Sequence, residues 1–182
     1  MTSDTPAIRR ATISDASTLT AVAVEAKRHW GYPEAWITRW MPVLTITPAF
    51  IAAHEIFVAE SSGGELAGFY ALVVENGRWA LDHLWVKPAH MGHGLGRQLF
   101  EHAAHRLAKV APGATIFIEA DPHAESFYVR MGAMRIGHIT RDWDGVTRVL
   151  PALEFSPATS ELPDFLTSSL PNFLTSEDTP RR

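Results

Sequence analysis

The 182-residue chain contains no cysteine. That absence removes disulfides, cysteine nucleophiles and thiolate metal sites together, and it fits a reducing compartment. Long apolar runs are also missing. No stretch approaches the ~20 apolar residues of a membrane span, and MTSDTPAIRR at the start lacks the apolar segment of a signal peptide. The expectation is a cytoplasmic protein that does not engage a membrane. Nor is there a basic excess. Sixteen Lys and Arg against twenty Asp and Glu leave a formal net charge of −4 and a pI near 6.1. That is the wrong sign for a protein built to coat nucleic acid. Hydrophobic residues make up 46% of the chain, charged residues 20%, and mean hydropathy is −0.02. At this length the composition supplies one well-buried core.

Several catalytic signatures are absent as well. There is no HExxH zinc motif and no GxSxG nucleophile elbow. Nine histidines invite a metal reading, with His102 and His105 three apart in a helix and His90 and His93 three apart in a loop. Neither pair has a carboxylate that completes a site, so they read as solvated side chains and no metal is expected.

What is present has a clear order. Ile8–Thr12 reads as a strand, and Ser14-Asp15 opens a helix with apolar spacing Leu19, Val22, Ala23, Ala26. HWGYPEAW (29–36) breaks it, a second helical piece carries Trp36, Ile37 and Trp40, and Pro48 opens a further turn or helix through Ala53. Three strands follow: IFVAE, LAGFYALVVE and RWALDHLWV, the last two joined by the hairpin signal Asn76-Gly77. Leu95, Leu99, Phe100, Ala103, Leu107 and Val110 lie on one face of a helix that Pro112-Gly113 ends. TIFIEA, PHAESFYVRMG and AMRIGHI then read as strand, short helix and strand, and Asp144-Gly145 turns into a last strand near Val146–Phe155. This order predicts an α+β fold with a mixed, largely antiparallel central sheet, flanked by helices and carrying one crossover helix near its middle.

The tail, residues 156–182, differs in texture. LPDFLTSS (162–169) and LPNFLTSE (170–177) match at six of eight positions, too few copies for a solenoid. Its Pro, Ser and Thr content suits a flexible appendage. A docking peptide anchored by Phe165, Leu166, Phe173 and Leu174 is the functional alternative.

The stretch MGHGLGRQLF (91–100) carries the chemistry. Gly92, Gly94 and Gly96 alternate directly before an amphipathic helix. A glycine-rich turn into a helix exposes unpaired N–H groups beside the positive end of the helix dipole, a combination that binds phosphate oxygens. A tight ligand-free connection is the bland alternative. The nucleotide P-loop requires GxxxxGK[ST], which is absent. A dinucleotide site requires GxGxxG immediately after its strand. Here the spacing is GxGxG and Lys87–Met91 intervene, although Glu119 and Asp121 mimic the downstream acid.

LDHLWVKPAHMGHGLGRQLF closely resembles the central motif of the GNAT superfamily of acyl-CoA N-acyltransferases. ADPHAESFYVRMGAMRIG (120–137) resembles the downstream segment of that family at a suitable distance. The resemblance spans about residues 8–155, so residues 1–155 are expected to form a GNAT-like domain. It implies acetyl-CoA as co-substrate, held at three places. Leu84, Trp85 and Val86 would pair with the pantetheine arm like an added strand. The N–H groups of Gly92, His93, Gly94, Leu95, Gly96 and Arg97 would take the diphosphate. Asp121, where many relatives carry Asn, or nearby His123, would touch pantetheine. Met91 stands where Arg or Gln is usual, which leaves Lys87 or Arg97 to replace that contact.

The implied reaction is direct transfer of the acetyl group to a primary amine of a small molecule or peptide. Tyr128 matches the family tyrosine that protonates the leaving thiolate. Asp82, His83 and Glu119 are the candidate bases. Asp82 and His83 are adjacent on one strand and hence expected on opposite faces; Asp82 could also attract the acceptor's ammonium. Trp30, Tyr32 and Trp36 would line the acceptor wall, or simply pack. A non-catalytic acyl-CoA sensor is the rival from another class. Dimerisation, common in the family, is not legible in the sequence.

Overall fold

Strand β3 (Leu66–Glu75) is buried at its first eight positions, the pattern of a central strand covered on both faces. The computed structural model, which describes residues 6–143 and 146–157, puts it third in a seven-stranded sheet of order β1-β2-β3-β4-β5-β7-β6. The other strands are β1 (Ala7–Arg10), β2 (Glu55–Glu60), β4 (Arg78–Val86), β5 (Ile116–Glu119), β6 (Met134–Trp143) and β7 (Val146–Phe155). Among the described residues five α-helices accompany them: α1 (Ala16–His29), α2 (Glu34–Leu44), α3 (Pro48–Ala53), α4 (Leu95–Val110) and α5 (Glu125–Arg130). The expected element order and mixed sheet are therefore observed. The Asp144-Gly145 turn and the duplicated tail segment lie outside the described residues.

Local chemistry accounts for most boundaries. Asn76 and Gly77 have φ of 51° and 76°, the paired positive values of the hairpin turn that joins β3 to β4. Thr47 caps α3 by accepting from the Phe50 N–H at 3.0 Å, and Pro48 takes the first helical position. The first strand stops at Arg10, short of the expected Thr12. The Thr12 N–H instead donates to Asp15 Oδ2 at 2.8 Å, which draws the chain into a single 3-10 turn at Ile13–Asp15.

Every neighbouring strand pair is antiparallel except β4 and β5, which α4 joins as a crossover. That parallel pair is registered only at Ala80 and Phe117. Beyond it, β4 continues to Val86 and β5 to Glu119 without pairing, so the sheet opens between them. Two apolar layers hold the opening in place. On one face α4 sets Leu95, Leu99, Phe100, Ala103 and Leu107 against Tyr70, Leu72, Leu81, Ile116 and Ile118. On the other, α1 to α3 pack Leu19, Val22, Ala23, Ile37, Trp40 and Ile51 against Ile56, Val58, Phe69 and Ala71.

One sequence expectation fails on β4. Ala71 opposes His83 and Leu72 opposes Leu81, which leaves Asp82 without a partner on β3. This is a β-bulge, and it suspends the strict alternation of side chains. Asp82 and His83 therefore share a side, with Asp82 Oδ2 3.2 Å from His83 Nε2, rather than facing opposite ways.

Candidate active site

The opening between β4 and β5 leads into a cavity of about 800 Å³. Its floor is the unpaired end of β4. Leu84, Trp85 and Val86 pair with Tyr70, Phe69 and Gly68 of β3 on one edge, while the edge toward β5 is free. All three line the cavity, as do Asp82 and Leu81. A free strand edge offers N–H and C=O groups to an extended ligand.

The glycine loop forms the next wall. Gly92 and Gly94 have φ of 78° and 86°, and a Cβ added at either would meet nothing within 4 Å. Both glycines line the cavity, so a side chain at either would project into space that a ligand can use. Gly94 is the N-cap of α4, and the first bond of the helix runs from the Gln98 N–H to the Gly94 carbonyl at 3.1 Å. The N–H groups of Leu95, Gly96 and Arg97 thus have no acceptor within the helix. Gly96 serves differently: its missing Cβ lets α4 sit against Phe127, 3.6 Å from where that atom would be. Arg97 lines the cavity and pairs with Glu101 at 2.7 Å; Lys87 pairs with Glu65 at 2.7 Å and does not line it. Met91 lines the cavity and packs against the core. The His93 side chain is exposed and the Leu95 side chain is buried in the core.

Tyr128 stands in α5 on the same cavity. Phe100 and Phe127 pack edge-on or tilted against its ring. Its hydroxyl has no hydrogen-bond partner among the described residues, where no fully buried side-chain polar atom is left unpartnered; the hydroxyl therefore opens to the cavity. Burial, helped by the Asp121 carboxylate, pushes its pKa well above the ordinary tyrosine value.

Opposite the loop lies a knot of side chains drawn from four parts of the chain. Asp121 accepts from Lys27 Nζ at 2.5 Å, from Tyr32 Oη at 2.9 Å and from the His123 N–H at 3.0 Å. Arg148 donates to Tyr32 Oη at 2.9 Å and lies 3.5 Å from Asp121. The Lys27 ammonium sits 4.7 Å from the ring centres of both Tyr32 and Trp40. Burial works against the charge of Asp121, but Lys27 outweighs it and holds the carboxyl below its usual pKa. Burial and the same carboxylate push Tyr32 up to about 12. Asp121 lines the cavity, yet its oxygens are engaged; Tyr32 turns into the knot and does not line the cavity. Trp30 does line it, stacked on His123 with centroids 5.2 Å apart and planes 6° apart.

On β4 the Asp82 side chain is 39% exposed and faces the cavity. His83 is buried and does not line it. Phe50 and Phe69 flank its ring, and the Trp85 indole N–H donates to its Nδ1 at 2.9 Å. Burial lowers the pKa of His83 against the opposing pull of Asp82. Glu119 lines the cavity with its carboxylate paired to Arg141 at 2.6 Å.

Two polar cavity residues escaped the sequence reading, Ser126 and Arg130. Arg130 ends α5 two residues after Tyr128 and has no ion-pair partner among the described residues. That spacing was the one available signal for it.

The sequence that builds this cavity matches a known family. The acetyltransferase (GNAT) domain model matches residues 12–147. The chain belongs to the GNAT acetyltransferase family. It is an acyltransferase, and solved GNAT structures share its fold. A GCN5-related N-acetyltransferase from Rhodopseudomonas palustris superposes with a TM-score of 0.70 at 23% identity, covering 86% of this chain and 98% of that one. PaiA N-acetyltransferase from Thermoplasma acidophilum, solved with coenzyme A, gives 0.64 at 22% identity, covering 82% and 98%. YncA from Salmonella typhimurium, solved with acetyl-CoA, gives 0.59 at 16% identity, covering 88% and 98%. A search of the curated proteins returns no match. Among the described residues no helix of this GNAT protein is long and apolar enough to cross a membrane.

Proposed function

We propose that this acetyltransferase moves an acetyl group from acetyl-CoA to a primary amine of a small molecule or peptide, by direct transfer within one ternary complex. The observation that carries the reading is a single cavity. It joins a diphosphate cradle at Gly92 and Gly94, a free β4 edge at Leu84–Val86, the Tyr128 hydroxyl and the Asp82 carboxylate. Coenzyme A-bound PaiA and acetyl-CoA-bound YncA, which share the fold, support the choice of ligand.

Bound acetyl-CoA supplies an activated thioester, and the chain supplies everything else. The N–H groups from Gly92 to Arg97 hold the diphosphate at the positive end of α4, and Arg97 and Arg130 add charge beside it. The edge of β4 holds the pantetheine arm as an added strand. Asp82 receives the acceptor. An alkylammonium has a pKa near 10.4, so the acceptor arrives charged and the Asp82 carboxylate attracts it. One proton leaves to solvent by way of that carboxylate and frees the nitrogen lone pair. A second leaves by the same route as nitrogen bonds to the acetyl carbon. The carbon–sulfur bond breaks as Tyr128 donates its hydroxyl proton to sulfur, and solvent restores it. Burial keeps the Tyr128 hydroxyl protonated at neutral pH, so the proton is in place when the carbon–sulfur bond breaks.

The test is release of coenzyme A thiol across a panel of primary amines, with the buffer alone as blank. Amine-dependent release supports transfer, and binding of acetyl-CoA without release from any amine would refute it.

A further inference from the structure

His83 has two ring nitrogens, one hydrogen-bonded and the other set against a carboxylate. The indole nitrogen of Trp85 is a donor only, so its 2.9 Å contact makes His83 Nδ1 an acceptor that carries no hydrogen. A neutral imidazole keeps one hydrogen, which therefore sits on Nε2. That atom lies 3.2 Å from Asp82 Oδ2. The arrangement is directional: the Trp85 indole donates to His83 Nδ1, and the hydrogen-bearing Nε2 stands beside the Asp82 carboxylate.

We propose that His83 is a positioning residue rather than the base of the reaction, with Trp85 locking its tautomer and Asp82 left as the group that meets the acceptor amine. The assignment rests on the acetyl-transfer reading above. Three features of the fold support it. The bulge at Asp82 brings two sequence neighbours onto one side of the sheet, which a regular strand forbids. The walls around the imidazole are Phe50 from α3, Phe69 from β3 and Trp85 from β4, and Asp82 is the charged group that acts on it. A second ring proton would have to occupy Nδ1, where it would confront the indole N–H donor to donor.

The consequence falls on Asp82. One oxygen lies 3.2 Å from a neutral ring nitrogen, a contact that restrains the carboxylate without cancelling its charge. The Asp82 side chain as a whole is 39% exposed and lines the cavity. A free, oriented anion beside the acyl site selects an acceptor that arrives as a cation and gives up a proton there.

Two measurements on the full chain test this. The first is the long-range proton–nitrogen NMR correlation of the histidine rings near pH 7. The expected pattern for His83 is the Nε2–H tautomer with bare Nδ1, and Trp85→Phe should abolish that preference. An Nδ1–H tautomer or an imidazolium in the wild type would overturn the proposal. The second compares two variants by kcat/KM. His83→Gln retains an amide oxygen for the indole and an N–H for Asp82, and should stay within about 10-fold of wild type. His83→Leu should fall by about 100-fold. Glutamine as inactive as leucine would make His83 the base and overturn the proposal, and so would two variants as fast as wild type. Acetyl-CoA affinity, read by calorimetry in each, should not move. If the wild type neither binds acetyl-CoA nor turns over, the acetyl-transfer reading fails while the NMR result still decides the tautomer.

Discussion

The wall of the cavity that runs from Leu84 to Arg97 is made of backbone, and the wall at Trp30, Asp121 and His123 is made of side chains, with Lys27, Tyr32 and Arg148 knotted behind it. In the first, positive-φ glycines and a free strand edge present N–H and C=O groups, and what matters is that side chains are missing. In the second, one carboxylate gathers two cations and a phenol among aromatic rings. A backbone wall suits a ligand part that is the same in every turnover. A side-chain wall can be rebuilt by substitution without disturbing the first. Breaking one wall should therefore leave the other's property intact.

The largest effect is expected at the loop. Gly94→Val sets a β-branched residue at φ 86° with its side chain in the cavity. Loss of two charge-assisted contacts to a phosphate, at about 2 kcal/mol each, weakens acetyl-CoA binding by roughly a thousandfold; calorimetry reads it. On the other wall, Asp121→Asn leaves Lys27 and Arg148 without their anion. Chemical denaturation should show a loss of about 3 kcal/mol, and Lys27→Met with Asp121→Asn should recover part of it. Tyr128→Phe touches neither wall's architecture. Its kcat should fall by about 100-fold with acetyl-CoA affinity nearly unchanged; equal loss of affinity would mean that the ring matters only for packing.

The smallest effect is in pH. The pKa of His83 is lower in the folded protein than the ordinary value near 6.5. Above that value the ring is neutral folded or unfolded and contributes no slope. As pH falls below it, the unfolded chain takes up a proton that the folded chain refuses. Stability then drops by up to about 1.4 kcal/mol per pH unit. Urea midpoints from pH 7.5 to 5.5 measure it, and His83→Leu should remove that proton's share of the slope.

The same contrast explains what could be read in the sequence. The glycine loop was legible because its shape is local: three glycines at fixed spacing before an amphipathic helix dictate it. The element order was legible from periodicity and from Asn76-Gly77 and Pro48. The knot was not, because Lys27 and Asp121 are 94 residues apart, and Tyr32 and Arg148 are 116 apart. Lys27 sits on the apolar face of α1, where pattern reading expects a hydrophobe. Asp82 and His83 were singled out, but a bulge leaves no mark on alternation, so their shared side was missed.

Calorimetric titration of the folded full chain with acetyl-CoA, against S-acetylpantetheine and NADH, tests the central claim most directly. S-acetylpantetheine carries the arm and the thioester but no diphosphate, and NADH carries a diphosphate without the arm. The account predicts acetyl-CoA binding at least about 100-fold tighter than either. Equal affinity for S-acetylpantetheine, tighter binding of NADH, or no binding of acetyl-CoA would contradict it.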